Sequence, residues 1–452
     1  MRIVLLFCCL TLAAGSPSWA DDHDTQGRVV SKVPAILAHR DRVAPIRDLL
    51  EDRLDHLLPQ LMRETGIDMW VVIAREYNED PTFMTLVPEP VFAARRTTML
   101  VFFDRGKRKG VERFTVSRYP IRDFYDAAWE GGNLDQQWQR LAEVIAKRKP
   151  KKIGINRSKD WPVADGLSAA LYDEFMAALP QTYKDRVVSA QDLVIRWTET
   201  RSEAELQIYP QIVGIARAVI SEAFSEQVIT PGVTLPEDVA WYIRSRFETL
   251  GLRPWFQPYV NVQRPGSNTN PDAPFFGIND QPIQRGDVLH TDVGICYLRL
   301  CTDTQEMGYV LRADEHSVPK GLVDALKLGN RWQDMLTGNY VAGRTGNEIL
   351  AATLRQQKTE NINGSVYTHP LGNFGHAPGP TIGMWDNQGP TPIRGDWPLY
   401  ANTAYAIEGN IKTAVPEWNG ELVQIKMEQD AVFDGEKVYY LAGRQTQWHV
   451  IR

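Results

Sequence analysis

The chain has 452 residues, of which 43% are hydrophobic and 23% charged, a composition typical of globular proteins with a large core. Its length suggests two or three domains. The formal net charge is -6 at pH 7, and the basic cluster KRKPKK near residue 147 is short. This balance argues against a nucleic-acid partner, and we interpret KRKPKK as a solvated loop before the strand IGIN.

Residues 1–20 have the pattern of a signal peptide. Arg2 supplies the positive charge, IVLLFCCLTLAA the apolar run, and Ser18-Trp19-Ala20 a cleavage site before Asp21. The apolar run is too short to span a bilayer comfortably, and no later segment is long and apolar enough. We therefore expect a periplasmic or secreted protein with no membrane attachment after cleavage.

Residues 21–200 are predicted to form an α/β domain, because helix and strand patterns alternate there. The first helix pattern places apolar residues at helical spacing between Ile46 and Leu61. The strand-type runs are DMWVVIA, TTMLVFFD, ERFTVSRY and KKIGIN, and the further helix patterns are LDQQWQRLAEVIAKR and WPVADGLSAALYDEFMAALP. No cluster of catalytic residue types stands out in this region.

A second domain is predicted over residues 201–452, with the boundary near Thr200. It begins with a capping pattern and a long helix, TRSEAELQIYPQIVGIARAVISEAF, followed by a turn and a second helix. Gly and Pro cluster in two long segments, residues 261–280 and 375–398. Long loops within a compact domain are often functional.

Four carboxylates of this second domain stand out because most lie in strand-type apolar segments. Asp292 lies in VLHTDVG, Glu408 in AYAIEG and Glu428 in LVQIKMEQDAVF, while Asp303 and His369 lie nearby in the chain. Burying a carboxylate is costly without a compensating cation or donor, and four of them would repel one another. The pattern predicts a pair of divalent metal ions held by oxygen ligands and one nitrogen ligand.

Asp292 and Asp303 are eleven residues apart. If the segment between them folds as a hairpin, the two carboxylates lie opposite each other and a shared cation would offset their repulsion. Alternatively, one aspartate caps a turn and the other faces water. Cys296 and Cys301 lie between them and either form a disulfide across the hairpin or are two small buried side chains.

The histidines of the second domain allow similar alternatives. His369 and His376 are seven residues apart, with Gly372 and Gly375 between them. Neutral imidazole is a common metal ligand, although a lone histidine is often structural. His290 lies two residues before Asp292, on the same face of a strand, so it is either a partner of the metal site or a packed, hydrogen-bonded residue.

Taken in order, DVLHTDVG, THPLGNFGH, AIEGNI and KMEQD resemble the motifs of the M24 metallopeptidases, which include methionine aminopeptidase, aminopeptidase P and prolidase. The resemblance covers about residues 201–452 and implies the pita-bread fold. The preceding region resembles the creatinase-like N-terminal domain of aminopeptidase P and prolidase, which favours the proline-directed branch. The expected fold class is therefore α/β (α+β), with a creatinase-like N-terminal α/β domain followed by a pita-bread catalytic domain.

The resemblance also implies a role for each site residue. Asp292 would hold one metal ion, His369 and Glu408 the other, and Asp303 and Glu428 would bridge both. His376 would not be a ligand but would bind substrate or stabilise the tetrahedral intermediate, and Glu408 is the candidate for proton transfer. The resemblance favours Mn(2+), although Zn or Co would suit these ligands, and it suggests a homodimer.

Three features depart from the family pattern. Phe275 and Phe276 occupy the neighbourhood, about seventeen residues before Asp292, where proline-directed members usually carry a histidine. Lys426 stands where many members have arginine; a lysine can still pair with a bridging carboxylate but lacks the bidentate fork. The long segment between His376 and Glu408, with Trp385 and Trp397, is predicted to form a loop or lid over the site.

The favoured function is an exported binuclear metallopeptidase that hydrolyses N-terminal Xaa-Pro peptide bonds through a metal-bridging hydroxide. Peptides are then the expected partners. Two alternatives use the same fold: a metal-independent C–N hydrolase of the creatinase type, and a non-catalytic binding protein.

Overall fold

The computed structural model describes residues 32–121, 123–267, 270 and 272–452. The predicted signal peptide, residues 1–20, lies outside the described residues. Within the described ranges, the helices are all too short or too polar to cross a bilayer.

The N-terminal region contains a six-stranded sheet in the order β4-β3-β2-β1-β5-β6. Its strands are β1 Met69–Arg75, β2 Thr97–Asp104, β3 Val111–Ser117, β4 Asp126–Ala127, β5 Ile153–Ile155 and β6 Val187–Ser189. The four predicted strands in this region are confirmed. Each of β1, β2 and β5 is buried over most of its length, as continuous apolar runs predict.

The helices of this region are α1 Val43–Asp52, α2 Leu58–Glu64, α3 Phe83–Leu86, α4 Leu134–Arg148, α5 Ala169–Ala178, α6 Gln181–Lys184 and α7 Gln191–Glu199. A π-helical turn, Arg53–Leu57, joins α1 to α2. The helix α4 has the bounds of the predicted segment, and Asn133 and Gln136 form its capping box. The predicted helix over 161–180 is shorter than expected and begins after Ser168, which caps it.

The second region contains four longer helices, α8 Glu203–Ala223, α9 Pro236–Thr249, α10 Lys320–Thr337 and α11 Gly346–Glu360. The predicted start of α8 is confirmed, because Ser202 and Glu205 form a capping box there. The strands are β7 Arg253–Pro254, β8 Tyr259–Gln263, β9 Val288–Val293, β10 Ile295–Tyr297, β11 Leu300–Cys301, β12 Thr304–Val310, β13 Asn363–Val366, β14 His369–Leu371, β15 Thr403–Ala414, β16 Leu422–Phe433, β17 Val438–Tyr440 and β18 His449–Ile451.

These strands build a nine-stranded sheet with the path β13-β15-β16-β12-β9-β8, to which β14, β17 and β18 add at the side. One apolar cluster packs α8 and α9 against β8 and β9, for example Ile243 with Leu289. A second packs α10 and α11 against β15 and β16, for example Trp332 with Ile407. The predicted mixed α/β architecture is confirmed, and the division at residue 200 stays a prediction.

Candidate metal centre

The sheet of the second region brings the five predicted ligands together. Asp292 lies near the end of β9, Asp303 directly before β12, His369 at the start of β14, Glu408 in β15 and Glu428 in β16. Glu408 and Glu428 are directly paired across the two longest strands. The strand register therefore places like charges side by side, which is unfavourable unless a cation neutralises them.

The imidazole of His369 lies at the centre of this group. Its Nε2 atom is 3.6 Å from Oδ2 of Asp303, 3.8 Å from Oε2 of Glu408 and 3.5 Å from Oε1 of Glu428. Ligand atoms of Asp292, Asp303 and Glu428 also lie within 4.8 Å of one another. At these separations, the same metal ion could contact several of these atoms.

Burial perturbs the acidity of every group in the cluster. It raises the pKa of Glu428 to about 8, and it raises the pKa values of Asp292 and Glu408 well above their ordinary range with the help of the Glu428 charge. Asp303 shifts in the same direction, through burial and then Glu428. Burial lowers the pKa of His369 to about 4, which keeps the imidazole neutral and available as a ligand.

The unpartnered atoms of the cluster test whether metal ions fit. Oδ1 of Asp292, Oδ1 of Asp303, Nε2 of His369 and Oε1 of Glu428 are buried and have no hydrogen-bond partner among the described residues. Buried polar atoms are nearly always hydrogen-bonded. These four atoms can each donate an electron pair, and divalent cations that prefer oxygen and imidazole ligands would satisfy them. The residues therefore fit such ions.

The path between the two aspartates differs from the predicted hairpin. Asp292 is paired with Gln305, not with Asp303, because a smaller hairpin, β10–β11, is inserted between them. Cys296 and Cys301 face each other in this hairpin and form a disulfide. The two carboxylates still converge, from adjacent ends of the paired strands β9 and β12.

Gln305 was not predicted as a site residue. Its Nε2 donates to Oε1 of Glu408 and to Oε2 of Glu428, both at 2.8 Å. Its Oε1 accepts from Nε2 of His290 at 2.8 Å, since the amide nitrogen is already committed to the carboxylates. His290 is therefore buried and hydrogen-bonded, and it contacts the amide that holds two predicted ligands.

Asp430 supports the cluster from the same face of β16 as Glu428. Its carboxylate accepts from the backbone N–H of Asp303 and from the hydroxyl of Thr304, both at 2.9 Å. Burial raises the pKa of Asp430 to about 8, while these two hydrogen bonds oppose the rise. Asp430 thereby fixes the backbone that carries Asp303.

His376 lies at the open side of the cluster. Its side chain is 57% exposed, whereas that of His369 is 7% exposed, and its Nε2 is 4.0 Å from Oδ2 of Asp303. Its position beside Asp303 and His369 would also allow a ligand role. Burial, and then the neighbouring His369, lower the pKa of His376 to about 4.

Trp255 packs against His376, with ring centroids 5.0 Å apart. Its Nε1 donates to the carbonyl of Thr302 at 2.9 Å. A Cβ atom added at Gly375 or at Gly294 would lie 2.1 Å from the Trp255 ring. Both glycines therefore leave the space that the indole occupies, and the indole in turn restricts the imidazole.

The loop over residues 272–276 packs against β16 beside Lys426. Lys426 donates to the carbonyl of Phe276 at 2.9 Å, and among the described residues it forms no ion pair. The ammonium group of Lys426 is therefore held by the loop backbone and not by a bridging carboxylate. Burial lowers the pKa of Lys426 to about 7, although Asp292 opposes the shift.

The predicted lid divides into two parts. Trp385 packs against Phe275 of the other long loop, with ring centroids 5.9 Å apart. Trp397 instead packs against Trp161 and donates to the carboxylate of Glu199 at 3.2 Å, so this end of the segment is attached to the N-terminal region. The segment is a loop, one of the two predicted forms, and its position over the site stays a prediction.

Four residues of the site were missed from the sequence: Trp255, Gln305, Tyr367 and Asp430. Asp430 had a usable signal, since it follows Glu428 by two residues on a strand and must share its face. Tyr367 had the same kind of signal, because it precedes His369 by two residues. Trp255 and Gln305 come into contact with the site through strand register and loop packing, which no local pattern reveals.

Taken together, the cluster of four carboxylates with one imidazole on the mixed sheet forms a candidate metal centre. The model of metallopeptidase family M24 matches residues 209–432, which include every predicted ligand. The chain belongs to the M24 metallopeptidase family. A comparison with curated proteins gave no significant match.

Solved structures show the same fold over nearly the whole chain. An X-Pro aminopeptidase from Thermotoga maritima is 18% identical, with a TM-score of 0.61, and the match covers 86% of this chain and 99% of that one. An Xaa-Pro dipeptidase from Bacillus anthracis is 17% identical, with a TM-score of 0.57 and coverage of 91% and 99%. A prolidase from Pyrococcus horikoshii is 15% identical, with a TM-score of 0.54 and coverage of 90% and 99%. The expected fold class is confirmed.

Proposed function

We propose that the protein is an exported peptidase that hydrolyses bonds in which proline follows the scissile bond, and that it uses two divalent cations. The observation that carries this proposal is the group of buried, unpartnered carboxylate oxygens around Nε2 of His369. The similar structures named as Xaa-Pro aminopeptidase and Xaa-Pro dipeptidase support the substrate class.

The ligand assignment is the one that the M24 motifs imply, and the grouping of the five side chains supports it. Asp303 and Glu428 would be shared, Asp292 would hold one ion, and His369 and Glu408 would hold the other. When bound, the ions would lower the pKa of a water molecule and polarise the scissile carbonyl. This donor set suits Mn(2+), Zn or Co, and we propose that Mn(2+) is the ion bound.

Two side chains would act on the substrate directly. His376 is the most exposed of the six predicted site residues, and its neutral imidazole would donate to the carbonyl oxygen as that atom gains charge. The side chain of Glu408 is 15% exposed, against 5% for Asp303 and 1% for Glu428. Glu408 would accept a proton from the attacking water and pass it to the departing proline nitrogen.

Export would place the chain in the periplasm or outside the cell. The disulfide between Cys296 and Cys301 supports an oxidising compartment. Expression in a host with a periplasm, followed by N-terminal sequencing, would test this: the expected mature chain begins at Asp21, and an intact N-terminus in the cytoplasm would contradict export.

Removal and return of metal would test the activity. We expect hydrolysis of Xaa-Pro dipeptides or longer Xaa-Pro peptides to disappear on chelation and to return with Mn(2+). Activity that survives complete chelation would contradict the proposal, and would favour a metal-independent hydrolase. Metal binding without any hydrolysis across the peptide panel would favour a binding protein.

Single substitutions would test the assignment of the two histidines. Asp303→Ala is expected to abolish metal binding and activity, since its oxygens are shared. His376→Ala is expected to retain metal, measured by calorimetric titration, and to lose about 10²–10³-fold in kcat. His56→Ala, with its side chain 79% exposed, is the matched control. Loss of metal from His376→Ala would show that His376 is a ligand.

A further inference from the structure

The ring of Tyr367 lines the candidate metal centre beside both histidines. Its centroid is 5.7 Å from the ring of His369 and 6.3 Å from the ring of His376, and the two imidazoles are 4.5 Å apart. Tyr367 precedes His369 by two residues, so the two side chains leave the chain in similar directions. Three aromatic rings thus enclose one side of the site.

The backbone fixes this position. The N–H of Tyr367 donates to the carbonyl of Glu408 at 3.1 Å, and the hydroxyl of Thr368 donates to the same carbonyl at 3.0 Å. Tyr367 is therefore attached to the residue of β15 that supplies a predicted ligand. These bonds hold the backbone from which the phenol extends beside the cluster.

The hydroxyl of Tyr367 is available to a ligand. Among the described residues none is hydrogen-bonded to it, whereas the buried hydroxyl of Tyr209 donates to the carbonyl of Cys301 at 2.5 Å. Tyr367 is half-buried, and its phenol lies close enough to Glu408, Glu428, Asp303 and Asp292 to interact with their charges. A phenol with an ordinary pKa near 10 is neutral at neutral pH and can donate one hydrogen bond.

From this arrangement we propose that the Tyr367 hydroxyl donates a hydrogen bond to the scissile carbonyl oxygen, as a second donor beside His376. Tyr367 and His376 are the partly exposed members of the aromatic wall, while His369 is buried among the carboxylates. The oxygen that becomes negative during attack would lie between the two exposed donors. This role rests on the proposed peptidase function.

The test compares Tyr367→Phe, which removes only the hydroxyl, with the wild-type enzyme loaded with Mn(2+). We expect kcat for an Xaa-Pro dipeptide to fall about 10²-fold with KM unchanged, because the bond forms fully only in the transition state. A phosphinic dipeptide analogue, whose P–O⁻ oxygen imitates the oxyanion, should lose affinity by a similar factor in calorimetry. The affinity for Mn(2+) alone should not change. Tyr77→Phe, at a tyrosine 95% exposed in the N-terminal region, is the matched control.

Each result decides the proposal. Unchanged kcat in Tyr367→Phe, or a change confined to KM, would overturn the role in transition-state stabilisation. A loss of Mn(2+) affinity equal to the loss of kcat would overturn it too, by showing that the phenol acts on the metal site. If the wild-type enzyme neither hydrolyses the peptides nor binds the phosphinic analogue, the proposed function fails, and the Tyr367 role fails with it.

Discussion

At the scale of single residues, Gln305 places a neutral amide between two carboxylates that repel each other. Its amide donates to Glu408 and Glu428, two carboxylates in paired positions of adjacent strands. A lysine there would compete with a metal ion for the same oxygens, while an amide orients them and leaves their other lone pairs free. Groups that orient metal ligands in this way commonly affect metal affinity 10–100-fold.

We therefore expect Gln305→Leu to weaken Mn(2+) binding by roughly 10–100-fold, because both carboxylates lose the donor that aims them. Isothermal titration calorimetry of the metal-free protein measures this directly. Gln60→Leu, at an exposed glutamine that bonds only Glu64 among the described residues, is the matched control and should bind metal as the wild type does. Equal affinity in the two variants would contradict the orienting role of Gln305.

At the scale of elements, two side-chain contacts fix the positions of strands and loops around the site. Trp255 follows β7 and fills the space between Gly294 and Gly375, so it links the end of β9 to the loop that carries His376. On the opposite side of the sheet, Glu306 of β12 bonds to Arg217 of α8 at 2.6 Å and to His449 of β18. Both contacts join segments that are distant in the chain.

The first contact predicts the effect of Gly375→Ala. The added Cβ would lie 2.1 Å from Trp255, so the indole or the loop must move and His376 loses its support. We expect a fall in kcat of about 10²-fold, as for a small misplacement of a catalytic group, with metal binding retained. Gly214→Ala, where the nearest atom is at 3.6 Å, is the control. Wild-type kcat in Gly375→Ala would show that Trp255 does not position His376.

The second contact predicts a dependence of stability on pH. Burial alone would raise the pKa of Glu306, but Arg217 and His449 outweigh it and lower the pKa from 4.5 to about 2. A carboxyl group with a lowered pKa in the folded chain stabilises the fold above its unfolded pKa, and this contribution is lost as the pH falls towards the folded value. The contribution, about 3 kcal/mol, should be present above pH 4.5 and lost between pH 4.5 and about pH 2.

Urea denaturation of the wild type and of Glu306→Gln across this range would measure the effect. The difference between their free energies of unfolding should shrink as the pH falls below about 4.5. Glu64→Gln, at a glutamate 43% exposed, should show no such trend. A pH-independent difference between Glu306→Gln and the wild type would contradict the lowered pKa of Glu306.

At the scale of the whole molecule, a buried chain of polar contacts runs from the N-terminal helices to the histidine loop. Arg53, in the π-helical turn, donates to Oε2 of Glu205 at 2.7 Å and to the carbonyl of Thr200 at 2.8 Å. Arg201 donates to the other oxygen of Glu205 at 3.1 Å and to Oδ1 of Asn373 at 3.3 Å. Asn373 lies between the two histidines of the site, so the two regions are coupled through charged groups removed from water.

Arg53→Met is expected to lower the free energy of unfolding by about 3–5 kcal/mol, because it leaves Glu205 buried with one partner fewer. Chemical denaturation of the metal-free protein measures the loss. Arg47→Met removes an exposed ion pair with Asp123 and should cost less than about 1 kcal/mol. Equal effects of the two substitutions would contradict a buried ion pair at Arg53.

Local patterns accounted for a large part of this molecule. The bounds of α4 and the start of α8 were readable because capping boxes and apolar periodicity act within a few residues. The convergence of the predicted ligands was readable for a different reason: carboxylates inside apolar strands need a compensating charge wherever the strands finally lie. Partners that lie far apart in the chain were not readable, such as the Phe276 carbonyl that accepts from the ammonium group of Lys426.

The sequence by itself determined that Asp292, Asp303, His369, Glu408 and Glu428 form one site, since a fixed cost of burial acts on residue type and on strand pattern alone. Only the tertiary structure decided what surrounds them. The partners of Gln305, Trp255 and Tyr367 depend on register between strands and on the path of loops. Gln305 and Glu408, like Trp255 and His376, lie more than a hundred residues apart in the chain, so no local pattern pairs them. Tyr367 lies close to both histidines in the chain, and there the path of the backbone decides where its ring packs.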